Sequence, residues 1–292
     1  MGDESSMDKD SSNSLFVVAT PIGNLNDITV RAIETLRGVN VIACEDTRIS
    51  RVLLNRWNIS TPLISLHRFN ENRKTQTILE RLGNGESVAL ISDAGTPNIS
   101  DPGYRLVRAV MDAGYRVVPI PGPSSIIAAL SVAGIDGSAF VFLGFSPKKE
   151  SALRSFFENV GAQEHTVVFL ETARRIVKTI DMARKVIPNR QFVLGRELTK
   201  KFEEIISGDP ESVHEQLSQR QNIKGEFVVV IEPSKLSSAV DIDEVVMGLI
   251  KEGYTGKNVA DEAQRRFRVS KSAAYSKYLS IVRAKSHSDE SD

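Results

Sequence analysis

One pattern recurs along the N-terminal part of the chain and restricts the sheet it can build. Short apolar runs end in small, polar or turn-forming residues, and helix-patterned stretches separate them. Val17-Val18-Ala19 enters Thr20-Pro21-Ile22-Gly23-Asn24, with helical spacing over 28–36. Val39-Asn40-Val41-Ile42-Ala43-Cys44 ends in Glu45-Asp46-Thr47-Arg48. Ser87-Val88-Ala89-Leu90-Ile91-Ser92 ends in Asp93-Ala94-Gly95-Thr96-Pro97, with Asp101-Pro102-Gly103 just beyond. Arg116-Val117-Val118-Pro119-Ile120 runs into Pro121-Gly122-Pro123-Ser124-Ser125 and the helical Ile126-Ile127-Ala128-Ala129-Leu130. This is the grammar of βαβ units in an open parallel sheet, whose ligands sit at the carboxyl ends of the strands. Each turn alone reads equally well as a plain connection. Together they would bring backbone N–H and C=O groups close to a bound molecule. Neither G-x-G-x-x-G nor G-x-x-x-x-G-K-[ST] occurs at these turns, which points away from a dinucleotide or a nucleoside triphosphate.

The same grammar places the remaining elements. Strands are expected near 16–19, 39–44, 63–66, 87–91 and 116–120, with helices over 75–82 and 104–113 among those between. A second set of strands is expected at 140–143, 166–170, 191–195, 203–207 and 226–231. Several of these follow one another closely, so a mixed sheet is expected there. The domains then read as a tail at 1–14, an α/β domain at 15–123, a second at 124–233, and a helical module at 240–286 after a linker at 234–239. At 292 residues, two cores and an appendage fit ordinary domain sizes.

Charge and cysteine narrow the classes of function. The formal net charge is +0, so nucleic-acid binding would need a local patch. The last segment has one. Lys257, Arg265, Arg266, Arg268, Lys271, Lys277, Arg283 and Lys285 face only Asp261 and Glu262 in that stretch, beside Tyr275 and Tyr278. Helices at 241–253 and 257–267 and a third after Ser270 as N-cap resemble a helix-turn-helix, with Val259, Ala260, Ala263 and Phe267 on its inner face. A solvated helical face would carry the same cations, but the adjoining tyrosines favour contact with RNA. Cys44, the single cysteine, cannot form an internal disulfide and reads as a packing thiol. No apolar stretch approaches the ~20 residues of a membrane span. The acidic start is unlike a secretory signal, which makes the cytoplasm the expected compartment.

The motifs in order carry a resemblance. They are Ala19-Thr20-Pro21-Ile22-Gly23-Asn24-Leu25, Cys44-Glu45-Asp46-Thr47-Arg48, His67 with Asn70-Glu71, Ser92-Asp93-Ala94-Gly95-Thr96-Pro97 and Asp101-Pro102-Gly103-Tyr104. Pro119-Ile120-Pro121-Gly122-Pro123-Ser124, Gly144-Phe145, Glu171-Thr172, Arg196-Glu197-Leu198-Thr199-Lys200 and Lys224-Gly225-Glu226 continue the series. The chain resembles the ribosomal-RNA 2′-O-methyltransferase branch of the tetrapyrrole methylase superfamily over residues 15–231, with a matching tail element. The resemblance implies a two-domain α/β fold, a parallel open sheet plus a mixed sheet, with a small C-terminal helical module. It implies 2′-O-methylation of a cytidine ribose in 16S small-subunit ribosomal RNA, free or in the assembled subunit, with S-adenosylmethionine as cofactor and a homodimer as the assembly. For the cofactor it implies Pro21, Gly23, Asp93, Ala94, Gly95, Thr96, Pro121, Gly122, Pro123, Ser124, Gly144, Phe145, Glu171, Thr172, Leu198, Gly225 and Glu226.

Methyl transfer is an in-line displacement, and holding donor and acceptor aligned can supply roughly 7–11 kcal/mol. A general base would add only about 10²–10⁴ in rate. Catalytic candidates are therefore polar groups near the acceptor: Glu45 or Asp46 to orient the ribose hydroxyl or take its proton, and Arg48 for a phosphate. Lys200 could bind phosphate or, if desolvated, lower the hydroxyl's proton affinity; His67 could act as a base. Arg48, Arg196 and Lys200, with Lys257, Arg265, Arg266, Arg268, Lys271, Tyr275 and Lys277, form the expected RNA contacts. An Arg196–Glu197 salt bridge is the plain alternative for that cluster, and no metal spacing is present. A methylase of a tetrapyrrole or other small molecule and a non-catalytic RNA-binding assembly factor are the competing readings. The charged motifs and basic tail speak against the first, the intact loops against the second.

Overall fold

The computed structural model describes residues 12–234, 242–267 and 269–288. The acidic start at 1–10, most of the linker, Arg268 and the final four residues lie outside the described residues. The first sheet comprises β1 (Ser14–Val18), β2 (Val41–Cys44), β3 (Leu63–Ser65), β4 (Val88–Ile91) and β5 (Arg116–Ile120). They lie in the order β3-β2-β4-β1-β5, every pair parallel.

Helices α1 (Val30–Gly38), α2 (Thr47–Arg56), α3 (Glu71–Gly83) and α4 (Tyr104–Asp112) cover both faces. Phe16, Val18, Ile42, Cys44, Ala89 and Ile91 meet Ile33, Leu36, Leu53 and Leu54 of α1 and α2. Their strand neighbours Leu15, Val41, Ala43, Val88 and Leu90 meet Ile78, Leu82, Leu106 and Val110 of α3 and α4. Burial on both faces explains why these strands read as continuous apolar runs. It also fixes Cys44 in the core, where burial pushes its thiol pKa up. The chain leaves β2 toward one face and β4 toward the other, which opens a crevice beyond their carboxyl ends.

The second sheet comprises β6 (Phe140–Phe145), β7 (Thr166–Thr172), β8 (Phe192–Arg196), β9 (Glu204–Gly208) and β10 (Glu226–Ile231). Its order is β6-β7-β10-β8-β9, parallel only at β6–β7. Helices α6 (Glu150–Gly161), α7 (Ile176–Val186) and α8 (Pro210–Ser218) pack on one face around Phe157, Phe169, Phe192 and Phe227. On the other face, Val168, Val193, Val228 and Val230 meet Ile22 from the first unit and Ile126 and Ala129 of α5 (Ser125–Val132). That shared cluster joins the sheets. Its apolar contacts are the hydrophobic contribution that holds the crevice walls together.

Helices α9 (Ile242–Lys251), α10 (Lys257–Phe267) and α11 (Lys271–Ser288) enclose a small core of Val246, Leu249, Val259, Ala260, Ala263, Val269 and Ala274. Ser270 caps α11 by accepting from Ala273 N. Phe267, expected on the inner face, is exposed. Helix α3 starts at Glu71, earlier than its apolar spacing suggests, because Glu71 is buried and its carboxylate accepts from the N–H groups of Gly103 and Arg105. An anion satisfies otherwise orphaned donors at the start of α4.

Candidate active-site cleft

Between the carboxyl ends of the first sheet and the second sheet lies a cavity of about 290 Å³. Glu45 after β2 and Asp93, Ala94, Ile99, Ser100 and Asp101 after β4 form one wall. Phe145, Leu170, Glu171, Gly195, Glu197, Leu198, Lys200, Glu226, Phe227 and Val228 form the other, with Ile22 and Ser125 between. The turns of the parallel sheet are tied together behind it. Thr20 and Gly95 exchange both backbone hydrogen bonds, at 2.9 and 3.0 Å, and Thr96 Oγ1 donates to Pro123 O at 3.3 Å.

The parallel-sheet wall is acidic. Burial raises the pKa of Asp101 to about 6, with neighbouring Glu45 adding to the shift. Burial also raises Glu45 and Asp93, and Asp93 adds to the shift at Glu45. Like charges gathered away from water favour the protonated forms. Asp93 still accepts from Asp46 N at 3.0 Å, and Arg68 reaches across to Ser100 O at 3.3 Å. Among the described residues no three acidic, His or Cys side chains are grouped to hold a metal ion. Asn98 and Ser100 are left-handed, with φ of 71° and 68°. Such backbone costs of order 1–3 kcal/mol per residue and persists where surrounding contacts impose it, here the Glu71 anchor at Gly103.

The mixed-sheet wall is paired within itself. Lys200 Nζ donates to Glu197 Oε1 at 2.8 Å and to Glu226 Oε2 at 3.5 Å. Burial opposes charge on Lys200, but the two carboxylates outweigh it and raise its pKa. Glu197 also resists burial and stays below the usual carboxylate range because Lys200 and Glu226 N bond to it. Two glycines make this loop possible. A Cβ on Gly23 would overlap Lys200 Cγ, and one on Gly225, where φ is +99°, would overlap the Glu197 side chain. Behind the loop Arg196 pairs with Glu204 at 3.1 Å and donates to Lys224 O at 3.0 Å. In place of the alternative Arg196–Glu197 bridge stand two separate pairs, Arg196–Glu204 and Lys200–Glu197.

Glu171 is almost fully buried at 1% exposure. Its carboxylate accepts from Ser146 Oγ, from Thr179 Oγ1 at 2.7 Å and from Thr172 N at 2.7 Å, and lies 3.4 Å from Arg175. These bonds satisfy a buried anion and fix β7 against α7. Its polar oxygens are thus already engaged.

Of the expected site residues, Glu45, Asp93, Ala94, Phe145, Glu171, Leu198, Lys200 and Glu226 meet at the cleft. Pro21, Gly23, Gly95, Thr96, Pro121, Gly122, Pro123, Ser124 and Gly225 in the turns, with Gly144 of β6 and Thr172 of β7, do not line it. Asp46 and Arg48 pair with each other at 2.6 Å outside the cavity, and Arg48 is 89% exposed along its side chain. That pairing lowers the pKa of Asp46 to about 2. His67 lies beside the acidic wall, close enough to lower the pKa of Glu45, and its buried Nδ1 has no hydrogen-bond partner among the described residues.

The structure adds Ile22, Ile99, Ser100, Asp101, Ser125, Leu170, Gly195, Glu197, Phe227 and Val228 to the lining. Asp101-Pro102-Gly103 was the visible signal for part of this set. In the helical module, Asp243 of α9 and Glu252 just beyond it add counterions to Asp261 and Glu262 of α10. Arg266 pairs with Glu252 and Glu262, Arg265 with Glu262, Lys271 with Asp261 and Lys277 with Asp243. Lys257 is exposed, and Tyr275 stacks on Tyr278 with ring centroids 6.4 Å apart.

The family described as Tetrapyrrole (Corrin/Porphyrin) Methylases matches residues 14–214. The chain is 42% identical over 271 residues to the "Ribosomal RNA small subunit methyltransferase I" of Mesorhizobium japonicum, covering 92% of both chains. A protein of the same name from Haemophilus influenzae is 45% identical over 220 residues, covering 75% of this chain and 78% of that one. Cobalt precorrin-4 methyltransferase, an enzyme of cobalamin biosynthesis, shares the fold with TM-score 0.57 and 14% identity over 75% of this chain and 95% of that one. A uroporphyrin-III C-methyltransferase from Thermus thermophilus, complexed with S-adenosylhomocysteine, aligns with TM-score 0.53 and 17% identity over 75% and 97%.

Proposed function

The chain belongs to the tetrapyrrole methylase family, and from that premise we propose that it methylates the 2′-oxygen of a cytidine ribose in 16S small-subunit ribosomal RNA, using S-adenosylmethionine. The observation that carries this is the match to a ribosomal RNA small subunit methyltransferase across 92% of the chain. That match runs past residue 214, where the family's own match ends, into the helical module. Tetrapyrrole enzymes share the fold at far lower identity, which speaks for the fold alone.

The cleft fits the cofactor. S-adenosylmethionine carries a sulfonium and an ammonium, and the acidic wall of Glu45, Asp93 and Asp101 offers compensating charge without a Lys or Arg in the lining of that wall. Ile22, Phe145, Leu170, Leu198 and Val228 form an apolar surface suited to an adenine ring. When bound, the cofactor supplies a methyl carbon activated by its sulfonium. The protein's own work is alignment and charge. Lys200, held by Glu197 and Glu226, faces the cleft as a cation and suits a ribose oxygen or an adjoining phosphate. Asp101 or Glu45, once ionised, accepts the 2′-hydroxyl proton, and burial that raises both carboxyls, Asp101 to about 6, suits that task. Arg48, exposed on α2, and Lys257, Lys271, Lys277 and Tyr275 of the helical module contact RNA beyond the cleft. Two copies pair through the exposed apolar groups Ile127 and Val132 of α5 and Phe140 and Leu143 of β6. The reaction takes place in the cytoplasm, where subunits assemble; no described helix is long and apolar enough to cross a membrane.

The test is transfer of a tritiated methyl group to unmodified small subunits, with nuclease digestion to locate the label. Label on one cytidine 2′-oxygen supports the reading. Label on a tetrapyrrole instead, or cofactor binding without transfer, overturns it.

A further inference from the structure

Two phenyl rings stand exposed on turns whose neighbouring residues reach the cleft. Phe69 is 99% exposed and Phe202 is 67% exposed. Folding gains nothing from leaving such rings in water, where burial would favour them. Each adjoins a cleft group. Phe69 follows Arg68, whose guanidinium donates to Ser100 O and whose charge acts on Glu45 and Asp101. Phe202 lies two residues beyond Lys200 on the opposite wall.

The turn that carries Phe69 is held in shape. His67 O accepts from the N–H groups of Asn70 and Glu71, both at 3.0 Å. Asn70 Oδ1 accepts from His67 N at 2.9 Å, and Asn70 Nδ2 donates to Ser65 O at 3.2 Å. The His67 ring meets Phe69 edge-on with centroids 6.1 Å apart. Phe202 is held in a turn closed by Glu203 N to Lys200 O at 3.1 Å, with Lys201 Nζ 5.7 Å from its ring centroid. Both rings are therefore presented from ordered turns, each beside a cation.

We infer that Phe69 and Phe202 are stacking platforms for unpaired RNA bases flanking the nucleotide whose ribose enters the cleft. This rests on the methyltransferase reading above. A ribose can reach a cleft between two sheets only if its nucleotide leaves the helical stack, which strips its neighbours of a stacking partner. An exposed phenyl ring replaces that partner whatever the base, and the adjoining Arg68 and Lys201 match the phosphates on either side. A second copy of the chain or a ribosomal protein would instead seek apolar contact, and the Lys201 ammonium over the Phe202 ring and the charge of Arg68 next to Phe69 in the chain do not favour that.

The experiment measures methyl transfer to unmodified small subunits by wild type and by Ala, Leu and Trp variants at Phe69 and at Phe202. Affinity for S-adenosylhomocysteine and the mass in solution are followed in parallel. Ala and Leu are expected to raise KM for the subunit roughly 5- to 100-fold, the range of base–aromatic stacking, with Trp near wild type and cofactor affinity and mass unchanged. Full activity with Leu would mean an apolar protein contact and overturn the inference, as would a change in mass. Unchanged KM in Phe69→Ala or Phe202→Ala overturns it too. Wild-type protein that methylates neither subunits nor their RNA would instead sink the function reading, an outcome no variant can mimic.

Discussion

Glu45, Asp93 and Asp101 on one wall of the cleft and Glu197 on the other are the same kind of group in opposite states. Burial and neighbouring carboxylates raise the first three, with Asp46 the one acting on Asp93, whereas Lys200 holds Glu197 low despite burial. The difference follows from topology. Parallel strands deliver loops from distant parts of the chain to one edge, so carboxylates converge there, while the nearby Arg48 is engaged by Asp46 instead. The 197–200 turn after β8 carries its own cation three residues away. One wall is thus left able to receive a cation or a proton, and the other is neutralised and rigid. Preorganised charge of this kind needs no rearrangement when the reaction begins.

The sharpest way to break the comparison is to remove the paired wall's deepest group. Glu171→Ala strands Ser146, Thr179 and Thr172 N beside Arg175, and is expected to cost about 3 kcal/mol of stability. Denaturant unfolding would read it, and an unchanged midpoint would show that this wall is not a rigid frame. Gly225→Ala comes next. Its Cβ would displace Glu197 at a left-handed position, so a loss of about 1–3 kcal/mol is expected with a drop in methyl transfer of tenfold or more. Full activity would mean the Lys200–Glu197 pair can shift freely.

Asp101→Asn tests the open wall. A carboxyl whose folded pKa is raised favours folding below its unfolded value, near 4, and loses that advantage as pH rises through about 6. The Asn variant should therefore gain stability over wild type above pH 6, on the order of 1 kcal/mol once solvent screening is allowed for, and nothing near pH 3. Melting curves at both pH values decide it. An equal gain at both would show that ionisation is not involved. For the wild type, the affinity ratio of S-adenosylmethionine to its uncharged-sulfur product should rise between pH 5 and 7.5 in titration calorimetry. A flat ratio would place the sulfonium away from these carboxylates.

The smallest effect is expected in the helical module, which is self-neutralised like the Lys200 wall. Lys271→Ala and Lys277→Ala each remove one ion pair, and should weaken binding to small-subunit RNA about threefold while lowering the salt slope by about one. A salt slope that does not move would remove these lysines from the RNA interface.

Most strands were legible because their signals are local. β5 and β10 have the expected bounds, and β1, β4 and β8 differ from theirs by at most two residues at an end. The start of α3 was not legible, since its first turn is polar and Glu71 is buried only by meeting α4. The site was half legible. Asp93, Phe145, Leu198 and Lys200 line the cleft as expected, but Ile99, Ser100 and Asp101 reach it through a left-handed loop that no periodicity announces. Arg266 reads as an RNA contact in the sequence; in the structure Glu252, just beyond α9, pairs with it and Tyr254 accepts from it at 3.0 Å.

By itself the sequence determined that apolar runs ending in Gly and Pro turns would form a parallel sheet with its ligand edge at the strand ends, followed by a mixed sheet and three helices. Runs, turns and caps act over a few residues, so a local reading captures them. Tertiary structure alone decided that Glu45, Asp93 and Asp101 would share one wall, that Arg196 would choose Glu204 over Glu197, and that Phe69 would stay in water. Those outcomes depend on which distant groups are brought together and how much water they lose, and neither quantity has a period along the chain.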